Sequence, residues 1–184
     1  MVDEFTPYVF ALVLTLSFIL LMMTFRSIVI PIKAVLMNLL SVGVAYGLLV
    51  LVFQKGIGNE IFGFQQTDII EAWIPLFLFC VVFGLSMDYH VFLLSRVKEF
   101  YNKTKDNTLA VSYGLSSTAT IITGAGLIMV AVFGGFALGE MLMMQQIGFG
   151  LLVAILLDST IIRIILVPAS MKLLGEYNWY MPKW

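Results

Sequence analysis

The sequence contains little charge for its length. Of its 184 residues, 11% are charged and 61% are hydrophobic, whereas an ordinary soluble domain has roughly 25% charged residues. The mean hydropathy is +1.03. Because so few charged side chains could cover a surface in water, the composition predicts an integral membrane protein. The net charge of −1 identifies no partner, and we expect none among nucleic acids.

Cysteine and histidine are also scarce. Cys80 and His90 are the only residues of their types. A single cysteine excludes an internal disulfide or a cysteine metal cluster, and a single histidine does not make a metal site. We therefore expect no metal, no bound cofactor and no catalytic residue. No secretory signal peptide is evident, because the first apolar run ends at Arg26 without a small-residue cleavage site.

The sequence is rich in long apolar runs. Five of them are close to or above the roughly 20 residues that a helix needs to cross hydrocarbon: 8–25, 31–53, 73–95, 111–138 and 143–167. Isolated strands would leave backbone groups unpaired in lipid, so these runs are predicted to be helices. The predicted fold is an all-α bundle of five transmembrane helices in one domain, 1–184.

The basic residues predict the orientation of these helices. The second connection holds only Lys55 against three acidic residues, and the fourth holds no basic residue. The others flank the first connection, crowd a predicted surface segment at 97–110 and recur in a tail at 169–184: Arg26, Lys33, Arg96, Lys98, Lys103, Lys105, Lys172 and Lys183. We therefore expect a multi-pass protein of the cytoplasmic membrane with its N-terminus outside and its C-terminus in the cytoplasm. The aromatic residues of the tail predict an anchor at the membrane surface.

An aspartate interrupts the third apolar run, in the stretch FGLSMDYHVFLLSR. Asp88 lies 15 residues after Trp73 and 8 before Arg96, about 22 Å and 12 Å along a helix axis. An aspartate in mid-membrane costs about 2.5–3.5 kcal/mol on insertion scales and indicates a functional site. Burial disfavours the charged form of a carboxyl group, so Asp88 is predicted to bind and release protons near neutral pH. The alternative is a buried acid that hydrogen bonds only for helix packing.

The neighbours of Asp88 have different predicted roles. Gly84, one turn earlier on the same face, would let another helix approach closely. Tyr89 offers a hydroxyl that can donate to a nearby carboxylate. His90 points to another side, and we interpret it as a hydrogen-bonded histidine between helices rather than as a switch.

The last two runs carry further polar residues. Thr118, Thr120 and Thr123 are candidates to hold water near the third-run aspartate, although such hydroxyls commonly bond to the preceding turn. Asp158 is predicted to be mainly structural, with a cap, an interhelical pair or a relay as its possible roles. Arg163 follows five residues later, about 140° around an α-helix. We therefore expect the two not to pair, and Arg163 to extend to the membrane surface.

Four motifs together resemble one family. FGLSMDYHVFLLSR resembles the signature of the MMPL family, within the resistance–nodulation–division superfamily of proton-driven exporters. FRSIVIPIKAVLMNLLSVGVAYG, GLSSTATIITGAGLIMVAVFGGF and QQIGFGLLVAILLDSTIIRIILVPASMKLLG resemble further helices of that family. The motifs occur in order and cover nearly the whole chain. The resemblance implies part of one half of a twelve-helix transporter with two pseudo-symmetric halves, and the chain would correspond to helices 8 to 12.

The resemblance also implies a function and partners. Such transporters export lipids or other hydrophobic molecules with protons as the coupling ion, and an Asp-Tyr pair in this motif forms their proton relay. The matching residues are Asp88 and Tyr89, while His90 departs from the acidic residue that relatives often have. The expected partners are the bilayer, a hydrophobic cargo, and the N-terminal half with its extracytoplasmic domains or a second copy. The chain would then be a fragment or one part of a split transporter.

Two other functions are weighed against this one. An accessory or structural half-transporter without its own cargo, such as a protein-export subunit of the same superfamily, would use a similar acid but should lack the run DYHVFLLSR. An intramembrane aspartyl protease needs a GxGD motif, whereas the two acids here occur in GLSMD and LLDST.

Overall fold

Five long helices make up most of the computed structural model, which describes residues 2–58 and 63–180. They are α1 (Val2–Phe25), α2 (Val29–Phe53), α3 (Trp73–Thr104), α4 (Asn107–Ala137) and α5 (Leu142–Leu157). A π-helical segment (Asp158–Leu166), α6 (Val167–Leu174) and a 3-10 turn (Gly175–Trp179) continue the last of them. The described ranges contain no strand. The all-α fold predicted from the sequence is confirmed.

The helices have the length and composition of membrane spans. Each of the first four is long and apolar enough to cross a bilayer, and so is α5 together with the segments that continue it. In α1 and α4 only 11% of the most apolar stretch is buried inside the bundle. Their outward side chains include large apolar residues such as Leu12 and Leu127, and the exposed polar residues of α4 are mainly small hydroxyls. These two helices are therefore suited to contact hydrocarbon or other membrane helices rather than water.

The interior consists of two apolar clusters with a polar layer between them. The Phe25 cluster includes Ala34 of α2, Leu93 of α3 and Ile162 of the π-helical segment. The Phe53 cluster includes Ala45 of α2, Val82 of α3 and Ile155 of α5. Between these positions the same helices bury five polar residues: Asn38, Ser41, Ser86, His90 and Asp158. The polar layer therefore crosses the bundle between the two apolar clusters, and its buried polar groups need hydrogen-bond partners.

The connection between α3 and α4 is shorter than the surface segment predicted at 97–110. Helix α3 continues to Thr104 and ends at Lys105, which has a left-handed φ of +57°. Asp106 then caps α4, because its carboxylate accepts a hydrogen bond from the Thr108 amide at 2.8 Å. The predicted segment is thus the end of α3 and the first turn of α4.

The end of the chain packs against the bundle. Asn178 is fully buried. Its backbone carbonyl accepts from Ser27 Oγ at 2.6 Å, and its side-chain oxygen accepts from Lys33 Nζ at 2.5 Å. Its amide nitrogen donates to the Met171 carbonyl at 2.7 Å. The turn after α6 is therefore tied to the connection between α1 and α2.

The tail predicted at 169–184 is not only a surface anchor. Its first residues belong to α6, and Trp179 stacks on Tyr101 of α3 with ring centroids 5.2 Å apart. Tyr177 and Tyr180 are exposed, as an interfacial anchor requires. Lys183 and the rest of 181–184 lie outside the described residues.

Two glycines permit the closest helix contacts. A Cβ at Gly114 of α4 would overlap the Val97 side chain of α3, and one at Gly148 of α5 would overlap backbone atoms at the end of α4. Small residues allow such approaches between membrane helices. They hold α4 against both of its neighbours in the bundle.

Candidate functional site

Three consecutive residues of α3 lead from the outside of the bundle to its interior. Asp88 is exposed, Tyr89 is half-buried and His90 is only 2% exposed. Successive side chains on a helix are about 100° apart. The motif therefore connects an open helix face to the buried polar layer.

The open face of α3 is a stripe of four exposed residues: Phe77, Gly84, Asp88 and Ser95. Their spacings of seven, four and seven residues place them on one side of the helix. A Cβ built on Gly84 would have no atom within 4 Å. Asp88 forms no hydrogen bond or ion pair with any of the described residues. A carboxyl group without partners is costly on a lipid-facing helix, so this stripe is a surface that the chain itself leaves uncovered.

The polar layer contains an ion pair. Asp158 is 5% exposed and Arg163 is 1% exposed. Arg163 Nη2 donates to Asp158 Oδ2 at 2.7 Å and to the Ser86 carbonyl at 3.4 Å. The predictions that these two residues do not pair, and that Arg163 extends to the membrane surface, are wrong.

The pairing is possible because the helix is wider here than an α-helix. Asp158–Leu166 is π-helical, with i→i+5 hydrogen bonds that place residues five apart nearly one above the other. The widened turns immediately precede Pro168, whose ring would clash with the Ile164 carbonyl in a regular α-helix. Instead of ending at this proline, the helix continues to Leu174.

Ser86 joins the ion pair to α2. Its hydroxyl lies 3.0 Å from Asp158 Oδ1 and 2.7 Å from Asn38 Oδ1. A hydroxyl has one proton, and the carboxylate is the stronger acceptor, so Ser86 donates to Asp158. The amide nitrogen of Asn38 is buried without a partner in the described part of the chain. Turning that amide by 180° lets the nitrogen donate to Ser86 Oγ and satisfies both groups.

Tyr89 lies between the ion pair and the open stripe. The Arg163 guanidinium carbon is 4.7 Å from the centre of the Tyr89 ring, which is within the range of a cation–π contact. Arg163 Nε and Nη1 are buried and have no hydrogen-bond acceptor among the described residues. The ring face of Tyr89 therefore provides a contact for a guanidinium that Asp158 neutralises from the other side.

The predicted threonines are not part of this network. Thr118 is buried and donates to the Gly114 carbonyl at 2.8 Å, one turn back on α4. Thr120 and Thr123 are exposed. None of the three threonines forms a hydrogen bond with Asp88, so they could support that residue only through a bridging water.

Sequence reasoning missed three contributors to the polar layer, namely Asn38, Ser41 and Ser86, and placed Arg163 at the membrane surface. An amide in the middle of a 23-residue apolar run was a usable signal for Asn38, since buried polar groups need partners. Asp158 and Arg163 were recognised as intramembrane charges but assigned separate positions. Among residues 2–58 and 63–180, no three His, Cys, Asp or Glu side chains converge as a metal site would require.

Five membrane-length helices around a buried ion pair define a multi-pass helical membrane protein with an intramembrane polar site. The model of the MMPL family matches residues 5–184, so the chain belongs to the MMPL family, in the resistance–nodulation–division superfamily. Members of this family are transporters and not enzymes. The resemblance seen in the four motifs is confirmed.

Several curated relatives match nearly the whole chain. The mycolic acid-containing lipids exporter MmpL11 of Mycolicibacterium smegmatis is 44% identical over 178 residues, 97% of this chain. The heme uptake protein MmpL11 of Mycobacterium tuberculosis is 43% identical, and the trehalose monomycolate exporter MmpL3 of M. smegmatis is 39% identical, each over the same share of this chain. The matched region makes up 19% of the first relative and 18% of the other two. The chain therefore spans less than a fifth of the length of these relatives.

Proposed function

We propose that this chain belongs to the membrane part of a proton-driven exporter of lipids or other hydrophobic molecules, with Asp88 and Tyr89 as its proton relay. The observation that carries this proposal is the open stripe on α3, which presents an unpaired carboxyl group to the outside of a membrane bundle. Two of the relatives are named for lipid export. An acid in such a place is suited to exchanging protons at a contact between membrane domains.

The occupant of the open stripe is proposed to be the other half of the transporter. Gly84 leaves room for a helix to approach within one turn of Asp88, and such glycines are favoured at close helix contacts. A half related by pseudo-symmetry would bring its own hydroxyl and carboxyl groups to this contact. A second copy of this chain is the alternative occupant, and the bilayer would surround both.

Proton binding at this contact would change the packing of the two halves. Ionised Asp88 attracts hydroxyl donors and water from the partner, and neutral Asp88 loses most of that attraction. A proton that enters at about 100 mV supplies roughly 2.3 kcal/mol. That energy is usable only if the charged and neutral sites favour different helix arrangements. Because the open stripe of α3 lies on the outside, a shift of the two halves there requires no change inside this bundle.

Arg163 and Asp158 are proposed to position the relay tyrosine. The guanidinium holds the face of the Tyr89 ring, and Asp158 and the Ser86 carbonyl fix the guanidinium in turn. A ring held in this way keeps its hydroxyl in place, 3.8 Å from Met129 Sδ of α4, one residue along the chain from the relay aspartate. Changes in the polar layer would therefore reach the relay through one defined contact.

The relatives also support a role in energy coupling for this region. Relatives named for export of mycolic acid-containing lipids, for heme uptake and for export of trehalose monomycolate each match 178 residues, at 44%, 43% and 39% identity. A region shared by transporters of different cargo is better suited to coupling energy than to selecting cargo. The accessory half-transporter without cargo remains the second candidate, and only transport measurements distinguish it.

Reconstitution tests the proposal. This chain, assembled with the remaining parts of its transporter in liposomes, should export a fluorescent lipid when the lumen and the bath differ in pH, and should stop when an ionophore removes the gradient. The chain alone should export nothing, because its relay lacks a facing half. Gradient-independent export by the assembly would contradict proton coupling. Export by the chain alone would identify a second copy as the partner.

The orientation is a separate prediction. With the N-terminus outside, cysteines at Gly58 and Gly139 should react with an impermeant maleimide in intact cells, and those at Asn102 and Gly175 only after permeabilisation. The basic residues of the α3–α4 connection carry this expectation. The background variant Cys80→Ser should not label. Labelling of Asn102→Cys in intact cells would reverse the orientation.

A further inference from the structure

A small cavity borders His90 in the Phe25 half of the bundle. Its lining comes from α2, α3 and α6, and includes Lys33, Ala34, His90 and Ser170. It has space of about 10 Å³ for the centre of a water molecule, close to the roughly 10–15 Å³ that one water needs. The cavity is thus of the size of one water molecule and too small for a cargo.

The hydrogen bonds of His90 fix the tautomer of its ring. Nδ1 lies 3.1 Å from the Ser86 carbonyl oxygen and 3.3 Å from the Ser86 hydroxyl. Because a carbonyl oxygen only accepts, Nδ1 carries the proton and Nε2 of the neutral ring carries the lone pair. Nε2 is buried and has no partner among the described residues. A buried acceptor without a donor is costly, and an ordered water is the usual partner in such places.

Lys33 supplies a second polar contact at the cavity. Its ammonium group is held by Asn178 Oδ1 at 2.5 Å, which uses one of three N–H donors. The other charged groups facing His90 are Asp158 and Arg163 of the π-helical segment, and they pair with each other. Lys33 is therefore the cation near the imidazole that has no carboxylate partner in the described ranges.

We propose that the cavity holds one water molecule that donates to His90 Nε2, and that this water extends the hydrogen bonds of the polar layer toward the Lys33 end of the bundle. Its role in transport rests on the proposed function. His90 Nδ1 donates to the Ser86 carbonyl, and the Ser86 hydroxyl donates to Asp158 Oδ1, 3.0 Å away. The water, the imidazole ring and Ser86 thus form one hydrogen-bonded path from the cavity to the ion pair.

The single histidine makes the test direct. Selective ¹⁵N-histidine labelling of this chain in lipid nanodiscs gives signals from His90 alone. Solid-state NMR should show a neutral ring with a protonated Nδ1, and Nε2 should receive magnetisation from water. Ala34→Leu, which fills the cavity without removing a polar group, should abolish most of that transfer. Ala45→Leu, an equal enlargement at a buried alanine of the Phe53 cluster, should leave it unchanged.

A second variant gives a result even if Ala34→Leu does not fold. Ser170→Val replaces the hydroxyl at the same cavity and should weaken the transfer. A protonated Nε2, or the absence of water transfer in the unmodified chain, would overturn the proposal. Neither result bears on lipid export, since no transport is measured. Conversely, a hydrated Nε2 in a protein whose assembled form shows no proton-coupled export would overturn the proposed function alone.

Discussion

Asp88→Asn should abolish export by the assembled transporter while leaving the amount of folded protein in the membrane nearly unchanged. Asparagine has almost the shape of aspartate but cannot change its charge, so it fixes the site in a state like the neutral one. Asp88 has no hydrogen bond or ion pair with the described part of its own chain. The replacement therefore breaks no contact inside the bundle, and removal of a lone charge should ease insertion.

The measurement is the export rate divided by the amount of folded protein recovered from the membrane. Asp68→Asn is the matched control, because Asp68 is an exposed carboxyl group in the α2–α3 connection, and it should export normally. Tyr89→Phe keeps the ring against Arg163 but removes the hydroxyl, and should reduce export without affecting folding. Normal export by Asp88→Asn would show that the acid is structural and that the proposed relay is wrong.

The helices and the Asp-Tyr motif could be predicted from the sequence because both depend on local information. Hydropathy decides which runs enter the membrane, and each run is long enough to cross it. The sequence predicts a buried Asp88, but in the structure Asp88 is exposed on the outer face of α3 and His90 is the buried residue of the motif. In the proposed assembly the residues opposite Asp88 belong to another part of the transporter, so no pattern within this chain predicts them.

The polar layer could not be predicted because it depends on a departure from regular geometry. The expectation that Asp158 and Arg163 do not pair assumed 3.6 residues per turn. The π-helical segment before Pro168 changes that spacing and brings residues five apart to nearly the same side of the helix. Ser86 of α3 and Asn38 of α2 contact each other across the bundle although they are 48 residues apart in sequence. Helix periodicity gives a face for each residue but no register between helices.

The ion pair in this layer should be necessary for stability, and the sequence already predicted a mainly structural role for Asp158. Asp158→Asn leaves Arg163 buried with a charge that no carboxylate neutralises. Breaking a buried pair in this way typically costs about 3–5 kcal/mol. Glu99→Gln is the control, because Glu99 pairs with Arg96 and Lys103 on the surface, where solvent screens such pairs and they add little to stability. Unfolding of the chain in mixed micelles by added SDS measures both.

Removing both charges separates stability from positioning. Replacement of a buried pair by apolar residues of similar size is often neutral for stability, so Asp158→Leu combined with Arg163→Met should recover most of what Asp158→Asn loses. The double variant still lacks the guanidinium that lies 4.7 Å from the centre of the Tyr89 ring. Its assembled transporter should therefore be folded but poorly active, whereas a merely structural pair would allow full activity. Normal export by the stable double variant would show that Tyr89 needs no support from Arg163.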